Sequence, residues 1–181
     1  MTRTEAFDLL GERLKNKNLV KHCLAVEACM RAVAIRLGHD PDPWGLAGLV
    51  HDLDYELTEK SPELHTTETV RILEGKGVAP DILHAVRAHA AKVPCESPMD
   101  WAIFSIDPLT GLIIAAALMH PSKKLKGIDV DFVRRRYKEK SFARGARREE
   151  IEECRRLGLE LDEFIALALG AMQGIDADLG L

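Results

Sequence analysis

Apolar residues recur at helical spacing along most of the chain, and no stretch shows convincing strand alternation. Thr2 and Glu5 have capping-box spacing and predict a helix running to about Lys15. Leu19, Val26, Met30, Val33 and Leu37 share a face of a second helix, expected over Leu19–Leu37 with Asn18 as its cap. Gly38 ends it, and His39-Asp40-Pro41-Asp42-Pro43 reads as a turn. A short apolar helix from about Pro43 to Asp52 follows, then a loop from Leu53 to Lys60. Ser61-Pro62 predicts the start of a helix ending near Gly75 and Gly77, and Pro80 the start of one reaching about Ala91. Ser97-Pro98 opens a longer helix that meets Pro108, where a kink or break is expected because proline lacks a backbone donor and crowds the preceding turn. Shorter helices are expected at about 129–138, 147–156 and 161–172, with Gly158 separating the last two. The pattern predicts an all-α fold in a single domain spanning 1–181, without internal repeat, low-complexity tract or long linker.

Composition agrees with that reading. Apolar residues make up 46% of 181 positions, enough for a core, and they are mainly helix-favouring Leu and Ala with Ile and Val. No contiguous apolar run reaches the roughly 18–20 residues of a membrane span; the longest, near Leu109–Met119, suits a core helix. The N-terminal segment MTRTEAFDLL has no signal-peptide-like apolar stretch, so a cytoplasmic protein with no membrane partner is expected. Cys23, Cys29, Cys95 and Cys154 form no CxxC pair, which argues for buried thiols rather than a thiolate zinc site.

The net charge of −4 is unevenly distributed. Ser122–Arg148 carries 11 Lys/Arg against 3 Asp/Glu, while the rest of the chain is strongly acidic. Such a segment is a candidate anion site if it lies beside reactive groups, and a solvated helix face if it does not.

The chemistry concentrates in the histidines. His51-Asp52 follows the apolar run GLAGLV and precedes a polar loop, which places two potential metal donors at the lip of a core. His22 lies on an apolar stripe, a setting more common for core histidines than for ligands. The order His22, His51-Asp52, His65, His89, Asp107 resembles the HD superfamily of metal-dependent phosphohydrolases, whose signature is a His, a later His-Asp pair and a further Asp. The resemblance covers about residues 18–115, with LAGLVHDLDYELT like the signature helix and SIDPLTGLI like the helix carrying the last Asp. The tail, with KSFARGARRE, resembles bacterial and archaeal HD-domain hydrolases of about this length, and forms a basic helical extension over about 120–181.

That resemblance implies an HD-type helical bundle and a divalent metal site of one or two ions, with the metal's identity open. His22, His51, Asp52 and Asp107 match the ligands of one ion, and His65 and His89 match the extra histidines of two-metal members, in which the Asp of the pair bridges. Asp52 is then a catalytic residue. Leu53 stands where many members have Lys, so Asp54 or Glu56 on the exit loop is a candidate for the missing group, with loop solvation as the alternative. Lys123, Lys124, Lys140, Arg144, Arg147 and Arg148 are candidates for substrate phosphate. His39, His84 and His120 are expected to be structural or on the surface. The substrate expected is a small phosphorylated molecule, foremost a nucleotide; with no P-loop, GxGxxG or RNA-binding aromatic signature, nucleic acid is not an expected partner. A diiron oxygenase and a catalytically silent binding module remain as alternatives.

Overall fold

A computed structural model describes residues 1–181. Thr2 and Glu5 form the reciprocal capping box that opens α1 (Arg3–Arg13). α2 (Lys17–Arg36) starts two residues before the predicted point, because Asn16 rather than Asn18 supplies the cap and accepts the Asn18 amide. Asp40 likewise caps α3 (Pro41–Val50), which draws the predicted turn into the helix and ends it just before His51. The loop expected after Asp52 contains a single helical turn, α4 (Tyr55–Thr58).

The helix expected from Ser61 does not form in one piece. A 3-10 turn (Pro62–Leu64) is followed by His65 and by Thr66 in the left-handed region (φ 74°), and α5 covers only Thr67–Gly75. α6 (Pro80–His89) and α7 (Pro98–Met119) follow, the latter opened by a Ser97/Asp100 capping box. After a 3-10 turn (Leu125–Gly127) come α8 (Val130–Lys138), α9 (Arg148–Glu152) with a 3-10 extension (Glu153–Leu157), α10 (Leu161–Gly174) and α11 (Asp176–Leu179). There are no strands, and the fold is all-α.

α2 and α7 form the centre, with α3, α6 and α10 packed around them over one continuous apolar core. The α2–α3 contact is unusually close. A Cβ placed on Gly48 would lie 2.9 Å from the Glu27 backbone nitrogen, so only glycine allows this approach. That contact brings the C-terminal end of α3, and with it His51, against His22 on α2.

α7 runs through Pro108 without the expected break. One backbone bond is forfeited, but Ile106 and Leu109 on either side of Asp107-Pro108 are fully buried. Burial of such side chains is worth about 1.5–3 kcal/mol each, which fixes the rotation of the helix. α7 is long and apolar enough to cross a membrane, which the contiguous run did not suggest, yet 61% of its most apolar 18-residue stretch is buried inside the bundle. All four cysteines are free, and Cys23, Cys29 and Cys154 are buried.

Candidate metal centre

Five separate pieces of chain bring six donor residues to one place. His22 projects from α2, His51 and Asp52 follow α3, His65 lies between the 3-10 turn and α5, His89 ends α6, and Asp107 comes from α7. Asp52 is the hub. Its Oδ2 lies 3.4 Å from His51 Nε2 and 3.8 Å from His22 Nε2, while Oδ1 lies 3.2 Å from His65 Nε2 and 3.4 Å from His89 Nε2. Asp107 Oδ1 closes the first group, 2.9 Å from His22 Nε2 and 4.0 Å from His51 Nε2. Asp52 is 5% exposed and His51 is fully buried.

Every one of the four imidazoles has its Nδ1 engaged by an oxygen. His51 donates to the Gly48 carbonyl (2.8 Å) and His89 to the Val86 carbonyl (2.6 Å), each three residues back, where a helix end leaves carbonyls unpaired. His65 donates to Asp54 Oδ1 (2.9 Å). His22 Nδ1 lies 3.2 Å from Thr110 Oγ1, whose hydroxyl donates to the Asp107 carbonyl and so leaves its oxygen to accept. These acceptors orient the rings with Nε2 aimed inward at the two carboxylates, where a metal can take the place of an Nε2 proton. His51 Nε2 has no hydrogen-bond partner although buried, and the His65 and His89 Nε2 atoms face each other at 3.2 Å. Two ring nitrogens this close beside a carboxylate need a proton or a metal cation between them. Imidazole nitrogens with carboxylate oxygens suit divalent first-row metals. Two overlapping sets, His22-His51-Asp107 and His51-Asp52-His89, bring their donor atoms within 4.8 Å of one another.

The electrostatics agree. Burial pushes Asp52 up, but His51, His65 and His89 outweigh it and hold the carboxyl well below the usual range. Asp107 is likewise pulled down by His22 against its burial. Burial lowers His51 to about 4, so its ring is neutral at physiological pH. His65 goes the other way: burial opposes its charge, but Asp52 and Asp54 raise it to about 9. The centre therefore favours a cation.

Asp54 is neither solvated nor open to a substrate. It is fully buried, and it accepts from His65 Nδ1, the Thr66 amide and the Thr69 amide. That arrangement corrects its expected catalytic role: Asp54 stands behind His65 and positions it. Glu56 accepts the Lys15 and Asn16 amides at the start of α2, which turns it away from chemistry as well.

The centre opens into a cleft of about 760 Å³. His22, Asp52, His65, His89 and Asp107 lie in its wall, and Tyr55, Lys92 and Arg147 surround them. Of the six cationic residues expected to meet phosphate, Arg147 alone lines this cleft. Arg148 is turned inward onto backbone carbonyls of Tyr137, Phe142, Ala143 and Ala146, so its guanidinium is fully engaged by the fold. Lys123 and Lys124 follow α7 in the turn beyond His120, and Lys140 and Arg144 are exposed but not part of the cleft wall. Lys92 and Tyr55 were not anticipated. Lys92 Nζ donates to the carbonyls of Pro62 (2.8 Å) and Glu63 (3.2 Å), and only the folded loop brings it to the site. His39 stacks on Trp44, His84 donates to Asp100, and His120 bonds Ser122, all outside the centre.

The chain is similar to ribonuclease Y of Syntrophobacter fumaroxidans, 30% identical over 112 residues, covering 59% of this chain and 21% of that protein. It is similar to ribonuclease Y of Oleidesulfovibrio alaskensis at 29% over the same length, with the same shares covered. For ribonuclease Y of Nitratidesulfovibrio vulgaris the figures are 27% over 96 residues, 53% and 18%. The matched region is thus about a fifth of those relatives' length. No solved structure matches. The family model for the HD domain matches residues 19–112, just over half of the chain and the stretch holding all six donors. On that match, with its His and Asp residues gathered in one buried centre, the chain belongs to the HD domain family.

Proposed function

We propose that the chain is a metal-dependent phosphohydrolase acting on a small phosphorylated molecule, foremost a nucleotide. The observation that carries this reading is the division of Asp52 between two sets of imidazole nitrogens at the wall of an open cleft. His22, His51, Asp52 and Asp107 are the ligands proposed for one divalent ion, and Asp52, His65 and His89 for a second. Bound there, such ions supply Lewis acidity towards a phosphoryl oxygen and make water a stronger acid near neutral pH. The chain's own residues do the rest. Gly48, Val86, Thr110 and Asp54 hold the four rings with Nε2 inward. Lys92 and Arg147 place positive charge at the cleft wall, where it draws an anionic substrate in. Leu53, fully buried, contributes no cation after the His-Asp pair, so charge comes from these two more distant residues.

The similarity to ribonuclease Y favours a second reading, in which the cleft accepts an RNA phosphodiester. Elemental analysis of protein purified without chelator, with hydrolysis assays in manganese, magnesium, cobalt and nickel, tests both readings. One or two equivalents of metal with phosphate released from a mononucleotide supports the first. Cleavage of an RNA oligonucleotide without mononucleotide turnover supports the second. Two equivalents of iron with oxygen consumption and no hydrolysis refutes both, and so does the absence of metal after reconstitution.

A further inference from the structure

One wall of the same cleft is the loop between α8 and α9, which contributes Ala143, Gly145, Ala146 and Arg147. Its backbone is sorted by polarity. Arg148 collects the carbonyls of Phe142 (2.6 Å), Ala143 (2.8 Å) and Ala146 (2.6 Å), whereas the amides of Ala143, Arg144 and Gly145 donate to no group in the protein. Ala143 is left-handed (φ 45°), and successive free amides around such a residue form a concavity suited to an anion. Arg147 adds a charge. Its Nε is held by Glu150, a residue only 9% exposed, and its two terminal amino groups have no partner. A guanidinium anchored at one edge keeps its other edge free for bidentate recognition of phosphate.

We propose that this loop is a second phosphate subsite, so that the substrate carries at least two phosphoryl groups, one at the Asp52 centre and another on Arg147 and the loop amides, as in a nucleoside di- or triphosphate. The inference rests on the phosphohydrolase reading and narrows its substrate. Arg147 is the contact residue, Glu150 the positioning residue for it, and Arg148 the residue that holds the carbonyls away from the anion.

Calorimetry on the metal-loaded protein tests this, with inorganic phosphate as the one-phosphoryl probe and α,β-methylene-ADP as a two-phosphoryl probe that resists hydrolysis between its phosphates. The ratio of variant to wild-type Kd for each probe cancels metal chelation in solution and any contribution of the base. Arg147→Gln is expected to weaken α,β-methylene-ADP by about tenfold or more, and phosphate by less than about twofold, with metal content unchanged. Glu150→Gln is expected to weaken the same probe to a smaller extent and spare phosphate. Equal weakening of both probes by Arg147→Gln, or of neither, overturns the subsite. Wild-type protein that holds metal but binds neither probe overturns the phosphohydrolase reading itself, and the two failures are thereby told apart.

Discussion

The two sides of Asp52 are built by different means. On the Oδ2 side, His22, His51 and Asp107 come from or directly follow α2, α3 and α7, which are locked together by the Gly48 approach and a buried apolar core. On the Oδ1 side, His89 ends a helix, but His65 stands in a short irregular stretch beside a left-handed Thr66. A β-branched residue in that region carries backbone strain of order 1–3 kcal/mol, which the surroundings must offset. What offsets it is Asp54, whose carboxylate collects His65 Nδ1 and the amides of Thr66 and Thr69. One half of the centre is therefore held by packing, and the other depends on a single buried carboxylate to hold His65. The packed half should keep its ion when the other half is disturbed, and the reverse should not hold.

The largest effect is expected from Asp52→Ala, which removes the ligand proposed for both ions. Metal content should fall to near zero and hydrolysis to background, with the helical circular dichroism spectrum retained. His51→Ala should do nearly the same, because Nε2 of His51 reaches into both donor sets. His65→Ala should lose one equivalent and keep the other, as read by elemental analysis after dialysis. Loss of both equivalents in His65→Ala would remove the asymmetry between the two halves.

Asp54→Asn comes next. It leaves all six proposed ligands in place but weakens the acceptor behind His65. Affinity for the second ion should drop by about 10–100-fold, with the first unchanged. A competitive chelator titration separates the two.

The smallest effect is on stability. His65 titrates at about 9 in the folded protein, above the usual value of about 6.5, so folding favours its protonated form. That contribution is fully present below about pH 6.5 and is lost as the pH rises through about 9. In metal-free protein, the stability difference between wild type and His65→Gln should therefore shrink from pH 6 to pH 9.5. A difference that stays constant in denaturant unfolding over this range would show that the Asp52 and Asp54 carboxylates do not act on His65 as described.

The contrast between halves also explains what the sequence made legible. The helices carrying His22, His89 and Asp107, and the one that ends just before His51, follow from apolar spacing, so the placement of those residues at helix ends or on core faces could be read directly. The irregular stretch at His65 could not. Ser61-Pro62 reads locally as a helix start, but the pull of Asp54 on His65, Thr66 and Thr69 interrupts the helix through tertiary contacts. The same limit applies to the basic segment. Its excess of positive charge suggests an anion site, yet Arg134 pairs with Asp131 and Asp162, Arg136 with Glu139, Lys126 with Asp176, and Arg148 with carbonyls. Charge counts do not reveal which cations the fold neutralises, and they missed Lys92, which arrives from a different loop. A carbonyl three residues before a helix-terminal histidine is a usable signal: Gly48 before His51 and Val86 before His89 both fit it.

The most direct test of the central claim, that Asp52 bridges two divalent ions, is electron paramagnetic resonance of the manganese-loaded protein. The account predicts a spin-coupled dimanganese spectrum at saturation in wild type, replaced by an isolated manganese signal in His65→Ala. An isolated signal from wild type at full loading would contradict it.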